Sequence, residues 1–408
     1  MIRRPAALVI AAVLGACAGA PTPPPTPTPQ PEPAPIPAPR PIPEPEPPPP
    51  PVRLRAPVRL AFVGDINLGT LTLPDGVPPD SGRGLFDAAR GALSGDLVVG
   101  NFEGVLADTG TTYKCGPEGR RVGVDADSQP TPAPRPRQRK ARTPLARKSC
   151  YAFLTPTSLA PRLLDAGFTH LNLANNHAND FGAAGRSSTE ALFDSLGLRR
   201  YGPLGQIAID SVSRGDSVTA VGLVGFTTYA HSYDLLDIAR SAAVVDSVRP
   251  LVDLLVVTFH GGNEGAKALH VAEAPESLGQ EPRGDLRRWA RAVIDAGADA
   301  VVGHGPHVLR GVEFYRGKPI AYSLGNFLTY RGFNLSGPLG ITGVLQLEFA
   351  ADSRLRRARL VPMVQAPLRG PAPDPAGTAV DLVRRISLED FGDTAARIGA
   401  DGEITPPK

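Results

Sequence analysis

Apolar residues along this chain gather into short runs bounded by Gly, Pro, Asn and Asp, and the runs alternate with segments of helical period. Residues 58–64 read as a buried strand, 85–93 as a short helix and 96–101 as a second strand. Next, 157–166 reads as a helix with Pro161 near its start, 170–174 as a strand and 183–196 as a helix. Residues 217–226 and 253–259 are strongly strand-like, 285–296 forms an amphipathic helical pattern and 300–303 a strand. Shorter strand patterns follow at 311–315, 319–323, 343–349 and 354–361, an antiparallel-looking finish. The alternation places the chain in the α/β class, with no internal repeat.

Five of these strands run directly into polar clusters. They are Gly64-Asp65-Ile66-Asn67, Gly100-Asn101-Phe102-Glu103, Asn175-Asn176-His177, His260-Gly261-Gly262-Asn263-Glu264 and Gly303-His304-Gly305-Pro306-His307. Side chains at strand ends project from the carboxyl edge of a sheet, where open α/β folds keep their chemistry. Carboxylates can bridge cations, Asn supplies a neutral oxygen and His a borderline-soft nitrogen. That donor mixture suits Mn, Zn or Fe better than Ca or Mg. Glycines beside the candidate ligands let the backbone turn sharply. Taken singly, Asp65 and Asn67 read equally well as turn residues, Glu103 as a surface carboxylate and His260 as a core histidine. Together they do not: four of the seven histidines (His177, His260, His304, His307) fall at strand ends. His170, His231 and His270 lack such a setting and read as structural.

Composition adds a compartment. The chain opens Met1-Ile2-Arg3-Arg4, runs apolar from Ala6 to Ala16 and reaches Cys17, the pattern of a secretory signal too short to span a bilayer. Cys17 directly after Leu14-Gly15-Ala16 resembles the lipobox of bacterial lipoproteins, in which the Cys is acylated; an ordinary signal peptide with an incidental Cys is the alternative. A signal peptide at 1–17 is therefore expected, then a proline-rich spacer at 18–52, in polyproline II form or as a ligand for a proline-binding module. Such a leader points to a lipid-anchored, extracytoplasmic protein of the cell envelope, in the periplasm or at the surface.

The net charge of +3 gives no reason to expect nucleic acid as a partner. Within it, residues 111–150 carry ten Lys or Arg against three Asp or Glu. This insertion, about 113–149, reads as a disordered basic loop, either solvated or a site for an anionic polymer or lipid head groups. Cys115 and Cys150 bracket it, and in an oxidising compartment they are expected to form a disulfide. About 310 residues after the spacer are enough for one large domain, expected at 53–365, leaving 366–408 as a tail.

The ordered series of motifs resembles the CapA family, associated with poly-γ-glutamate capsule synthesis. Asn172-Leu173-Ala174-Asn175-Asn176-His177 with Asp180-Phe181-Gly182 carries much of the likeness. So do the His260 and His304 clusters and the stretch from Gly317 to Phe327. That family is similar in turn to calcineurin-like metallophosphoesterases. The resemblance implies a metallo-dependent phosphatase-like fold, a four-layer αββα sandwich, holding one or two divalent ions (Mn, Zn or Fe). It implies that Asp65, Glu103, Asn176, His260, His304 and His307 bind metal, with Glu103 as the bridging carboxylate and His177 as the proton donor. Asn67, Asn101, Glu264 and Asn326 would lie in support or against substrate. Asn67 stands where the phosphoesterases use His, and Asn101-Phe102-Glu103 replaces their Gly-Asp-x-x-Asp, which weakens the field for a second ion. Two functions follow: a metal-dependent hydrolase of a phosphoester or cell-envelope polymer, or a tethered accessory protein that binds or exports an anionic polymer.

Overall fold

The computed structural model describes residues 55–114, 119–123 and 151–408. The expected signal peptide, the proline-rich spacer, Cys17, Cys115, Cys150 and most of the basic insertion lie outside the described residues.

Two sheets carry the fold, one of ten strands and one of seven. In chain order the strands used below are β1 (Val58–Asn67), β2 (Leu97–Phe102), β3 (His170–Asn172), β4 (Arg199–Tyr201), β5 (Ala208–Arg214), β6 (Ser217–Thr227), β7 (Leu254–His260) and β8 (Ala300–His304). They continue with β9 (Val312–Tyr315), β10 (Lys318–Ala321), β11 (Asn326–Thr329), β12 (Ile341–Phe349), β13 (Leu355–Gln365), β14 (Arg397–Ile398) and β15 (Glu403–Thr405). The helices are α1 (Pro161–Ala166), α2 (Gly182–Leu196), α3 (Ile238–Val248), α4 (Leu286–Asp295) and α5 (Thr378–Phe391). The first sheet runs β14-β15-β13-β12-β1-β2-β3-β4, with β11 beside β1. The second runs β6-β7-β8-β10-β9, with β5 antiparallel against β6.

Alternate residues of each central strand face different layers. Phe62 and Val99 meet Leu223, Val256 and Val302 between the sheets. Ala61 and Val63 turn the other way, onto Leu163 of α1 and Phe193 of α2. On the far side Val224 and Phe259 pack on Val245 of α3 and Trp289 and Val293 of α4. Strands buried on both faces need apolar residues at both parities, which is why these segments read as continuous apolar runs. The result is a four-layer αββα sandwich with parallel centres in both sheets, so the carboxyl ends of β1, β2, β3, β7 and β8 can share one rim.

Three expectations need correction. Residues 85–93 form only a 3-10 turn at Asp87–Ala89, since Gly84 lies just before the segment and Gly91 within it, and the turn's N-terminus has no side-chain cap. The helix expected at 157–166 breaks before Pro161 into a 3-10 turn and α1, because proline has no N–H to donate into a preceding turn. Residues 366–408 are no tail. Helix α5 buries Ala379, Val380, Val383 and Ile386 in the core between the sheets, and β15 pairs with β13 through Ala358 and Ile404. The helical stripe was masked by the Pro- and Gly-rich approach at 370–377. Among the described residues no helix is long and apolar enough to cross a membrane.

Deleting residues 366–408 exposes the pocket that Val380, Leu382, Val383 and Ile386 fill. At about 1.5–3 kcal/mol for each side chain, the loss rivals the ~5–15 kcal/mol that holds a whole domain together. The truncated chain should show no cooperative thermal transition by circular dichroism; a melting temperature equal to that of the full chain would contradict the placement of α5.

Candidate metal centre

Asp65 owes its position to a change of partner along β1. Residues 58–62 pair antiparallel with β12, whereas Asp65, Ile66 and Asn67 pair parallel with β11, and the register slips between the two stretches. Gly64 allows the bend, because a Cβ there would run into the Gly325 carbonyl. Asp65 N donates to that same oxygen at 2.9 Å. Glu103 follows β2 directly, its N–H donating to Ile66 O at 2.9 Å. His260 and His304 end β7 and β8 in register with each other. His307 takes φ 61 two residues after Gly305 at φ 115, a backbone conformation costly for a residue with a side chain and held here at the rim.

These turns bring ligand atoms of Asp65, Glu103 and His260 within 4.8 Å of one another, all buried. His260 Nε2 lies 3.4 Å from Glu103 Oε1. His307 Nδ1 lies 2.9 Å from Asp65 Oδ2 and 3.9 Å from Glu103 Oε2. Asn101 Nδ2 donates to Asp65 Oδ1 at 2.8 Å and stands 3.2 Å from His260 Nδ1. Its own oxygen accepts from the amides of Asn172 and Asn175, so three asparagines lock the carboxylate in place.

The centre is short of hydrogen bonds. Among the described residues, both oxygens of Glu103, His260 Nε2, His304 Nδ1, Asn176 Oδ1 and Asn326 Oδ1 are buried without a hydrogen-bond partner. Buried polar atoms are nearly always satisfied, and a carboxylate left bare costs far more than an amide. The carboxylates of Asp65 and Glu103 and the imidazole of His260, which do converge, fit a divalent cation. His304 Nε2 is spent on Val63 O at 3.0 Å, which leaves Nδ1 as its only available nitrogen.

The other candidates divide. Asn67 donates to Glu103 O and accepts from Gly69 N, so both ends of its amide shape the backbone. Asn326 donates to His307 O and Leu339 O and braces the last turn. Glu264 flanks the cluster, with Oε2 3.8 Å from His307 Nε2 and Oε1 accepting from Arg283 Nη2 at 2.7 Å. Arg283, fully buried, also donates to Gly262 O, Tyr229 Oη and Glu281 Oε1. No local pattern in the sequence marks it. His177 sits beside Asn176 in the next turn. Its Nδ1 donates to Asp180 Oδ2 at 2.7 Å, and Lys114 Nζ donates to Asp180 Oδ1 at 2.6 Å. The bond to Asp180 assigns the proton to Nδ1 and leaves Nε2 for exchange. Phe153 packs on the imidazole with ring centroids 4.4 Å apart. The spacing of His177 and Asp180, three apart in one turn, could have marked Asp180; Lys114 and Phe153 arrive only through the fold.

Residues 138–331 match the profile of the family described as bacterial capsule synthesis protein PGA_cap. The PGA biosynthesis protein CapA of Bacillus subtilis (strain 168) is 32% identical over 185 residues, 42% of this chain and 45% of that protein. The capsule biosynthesis protein CapA of Bacillus anthracis is 32% identical over 190 residues, 41% of this chain and 42% of that protein. The chain therefore spans less than half the length of either relative. A solved 5'-nucleotidase precursor from Thermus thermophilus aligns over 76% of this chain and 56% of its own at 15% identity, with a TM-score of 0.36. The likeness to the CapA family read from the motifs stands.

Charge at the centre is strongly coupled to burial. Burial, then Asp65, pushes the Glu103 carboxyl well up, and burial, then Arg283, pushes His260 well down. Burial alone would lower His307, but Glu103, Asp65 and Glu264 outweigh it and raise the imidazole to about 9. Burial lowers His177, helped by Lys114 and opposed by Asp180. His231, whose ring lies against the backbone of Leu173 and Asn175, is lowered to about 4 by burial and then Arg186. The consequence for stability has a definite sign. Above about 6.5, His231 is neutral folded or unfolded. Below that the unfolded chain gains a proton that the folded one refuses until about pH 4, so stability falls as pH drops through this window. His231→Gln should flatten the fall in unfolding free energy, measured by urea titration, between pH 6.5 and 4 by up to about 3 kcal/mol; an unchanged slope would refute the assignment.

Proposed function

We propose that the protein is a metal-dependent hydrolase of the CapA type, acting on a phosphoester or on a cell-envelope polymer during capsule synthesis, and tethered to the envelope through Cys17. One observation carries the reading: the buried Glu103 carboxylate has no hydrogen bond to either oxygen and faces the equally unpartnered Nε2 of His260 beside Asp65. A buried carboxylate in that condition is stable only when a cation or a proton neutralises it.

Asp65, Glu103 and His260 would hold the first ion, with His307 alongside. Asn176 Oδ1 and His304 Nδ1, both without a hydrogen-bond partner, would be the donors offered to a second ion. The mixed oxygen and nitrogen donors favour Mn, Zn or Fe. A bound divalent ion would activate water for attack and draw charge from the reacting oxygen. The chain itself supplies the rest. The asparagine network fixes the direction of Asp65. Arg283 holds Glu264 at the flank. His177, oriented by Asp180, exchanges a proton at Nε2; its neutral form accepts one, and an anionic substrate beside it favours the charged form that donates to a leaving group.

A second reading, a non-catalytic protein that binds or exports an anionic polymer, draws on the hairpin at Thr109–Thr112 and Arg120–Gly123. That hairpin shows exposed Tyr113, Arg120 and Arg121 to solvent and carries Lys114 beside it. The names of the relatives, capsule and PGA biosynthesis proteins, agree with an anionic polymer under either reading.

Elemental analysis of the purified full chain should find Mn, Zn or Fe at one or two equivalents, with Asp65→Asn and Glu103→Gln depleted. His177→Ala should keep the metal yet lose roughly 100- to 10,000-fold in turnover of aryl phosphoesters. A His177→Ala variant as active as wild type would favour the binding role, and protein with trace metal and no turnover in added metal would remove the hydrolase reading.

A further inference from the structure

We infer that Phe333 is a specificity-determining residue. Its ring walls the space between the carboxylate and imidazole centre and His177, and admits a reacting group carrying one substituent while excluding one carrying two. The inference rests on the hydrolase reading only for where the reacting group sits.

Phe333 spans the two parts of the site. Its ring centroid lies 4.8 Å from that of His307, edge to face at 67°, and 6.4 Å from that of His177 at 73°. On a third side it packs against Phe153 at 5.0 Å. Phe153 is in turn tied down through its backbone. Its N–H donates to Asp180 Oδ2 at 2.8 Å, its carbonyl accepts from Val105 N at 3.0 Å, and its side chain is buried.

The loop that presents Phe333 is anchored at its root. Thr329 N donates to Gln365 Oε1 at 3.0 Å, and Tyr330 N donates to Asn67 O at 3.1 Å. Thus the turn at Asn67 supports the loop as well as the carbonyl of Glu103. Gly332 has φ +101, and a Cβ there would come 2.8 Å from Phe153 Cε1, so the glycine lets the two phenyl rings meet. Beyond the ring, Ser336 N donates to Asn334 Oδ1 at 2.9 Å and closes the turn. Phe333 itself is half-buried, so the ring is held on three sides and meets the approach on the fourth.

A group bridging Asp65, Glu103 and His260 to His177 would pass close to this ring, because the ring meets His307 on one side and His177 on the other. A tetrahedral oxyanion with one substituent can point it outward. A second substituent points into the aromatic wall, and packed aromatic groups braced from behind do not give way cheaply. Removing the ring opens that direction without deleting a hydrogen bond or any proposed ligand.

The test is calorimetric binding of phenylphosphonate and diphenylphosphinate, oxyanions with one and two aryl groups, to the full chain as purified, its metal content measured. Wild type should prefer phenylphosphonate by about tenfold or more. Phe333→Ala should narrow the preference by about fivefold, mainly through tighter diphenylphosphinate, with metal content unchanged; Phe333→Trp should keep it. Equal affinities in wild type, an unchanged ratio in Phe333→Ala, or no binding of either probe would overturn the inference. Ester turnover, measured on the same samples, judges the hydrolase reading separately: selective binding without turnover would sink that reading and leave this one standing.

Discussion

The uncompensated charge of Glu103 is the constraint around which the rest of the structure is arranged. A carboxylate buried between two sheets, beside Asp65 and without a hydrogen bond to either oxygen, opposes folding unless something positive reaches it. The protein supplies part of the answer. His307, raised to about 9, stands 3.9 Å from one Glu103 oxygen, and Arg283 adds a buried positive charge farther out. Neither donates a hydrogen bond to Glu103. The proposed ion, shared with Asp65 and His260, would close the shortfall, and the asparagines around Asp65 would then serve as rigid supports that add no charge of their own.

The fold makes that cluster possible by bringing strand ends together across two sheets. Asp65 and Glu103 come from the first sheet, and His260, His304 and His307 from the second and the turn after it. Small residues set how closely they approach. Gly64 lets β1 change partners, and Gly303 lies against the ring of Phe259 and the carbonyl of Tyr322 where no Cβ would fit. The same crowding shields the centre from bulk solvent and lowers the local dielectric. Each charge there therefore interacts more strongly with its neighbours than it would at the surface.

Much of this is legible in the sequence. Asp65, Glu103, His260 and His307 each stand within three residues of a glycine at the end of an apolar run, so periodicity and turn chemistry together exposed them. The αββα layering was legible only through the motif resemblance; the periodicity by itself gave the α/β class. What stayed hidden depends on contacts distant in sequence. Lys114 reaches Asp180 across 66 positions, and Arg283 meets Glu264 across 19. Phe333 acquires its place only through Phe153 and the carbonyl of Asn67. Helix α5 was missed for a local reason, since Pro371, Pro373, Pro375 and Gly377 precede an ordinary apolar stripe.

Placing an ion directly is the sharpest trial of the central claim. Crystals grown with Mn and measured on both sides of its absorption edge should give an anomalous peak about 2.0–2.3 Å from a Glu103 oxygen, an Asp65 oxygen and a His260 nitrogen. Absence of a peak there, with Glu103 turned aside or hydrogen-bonded to another side chain, would mean that the buried charge is balanced without metal.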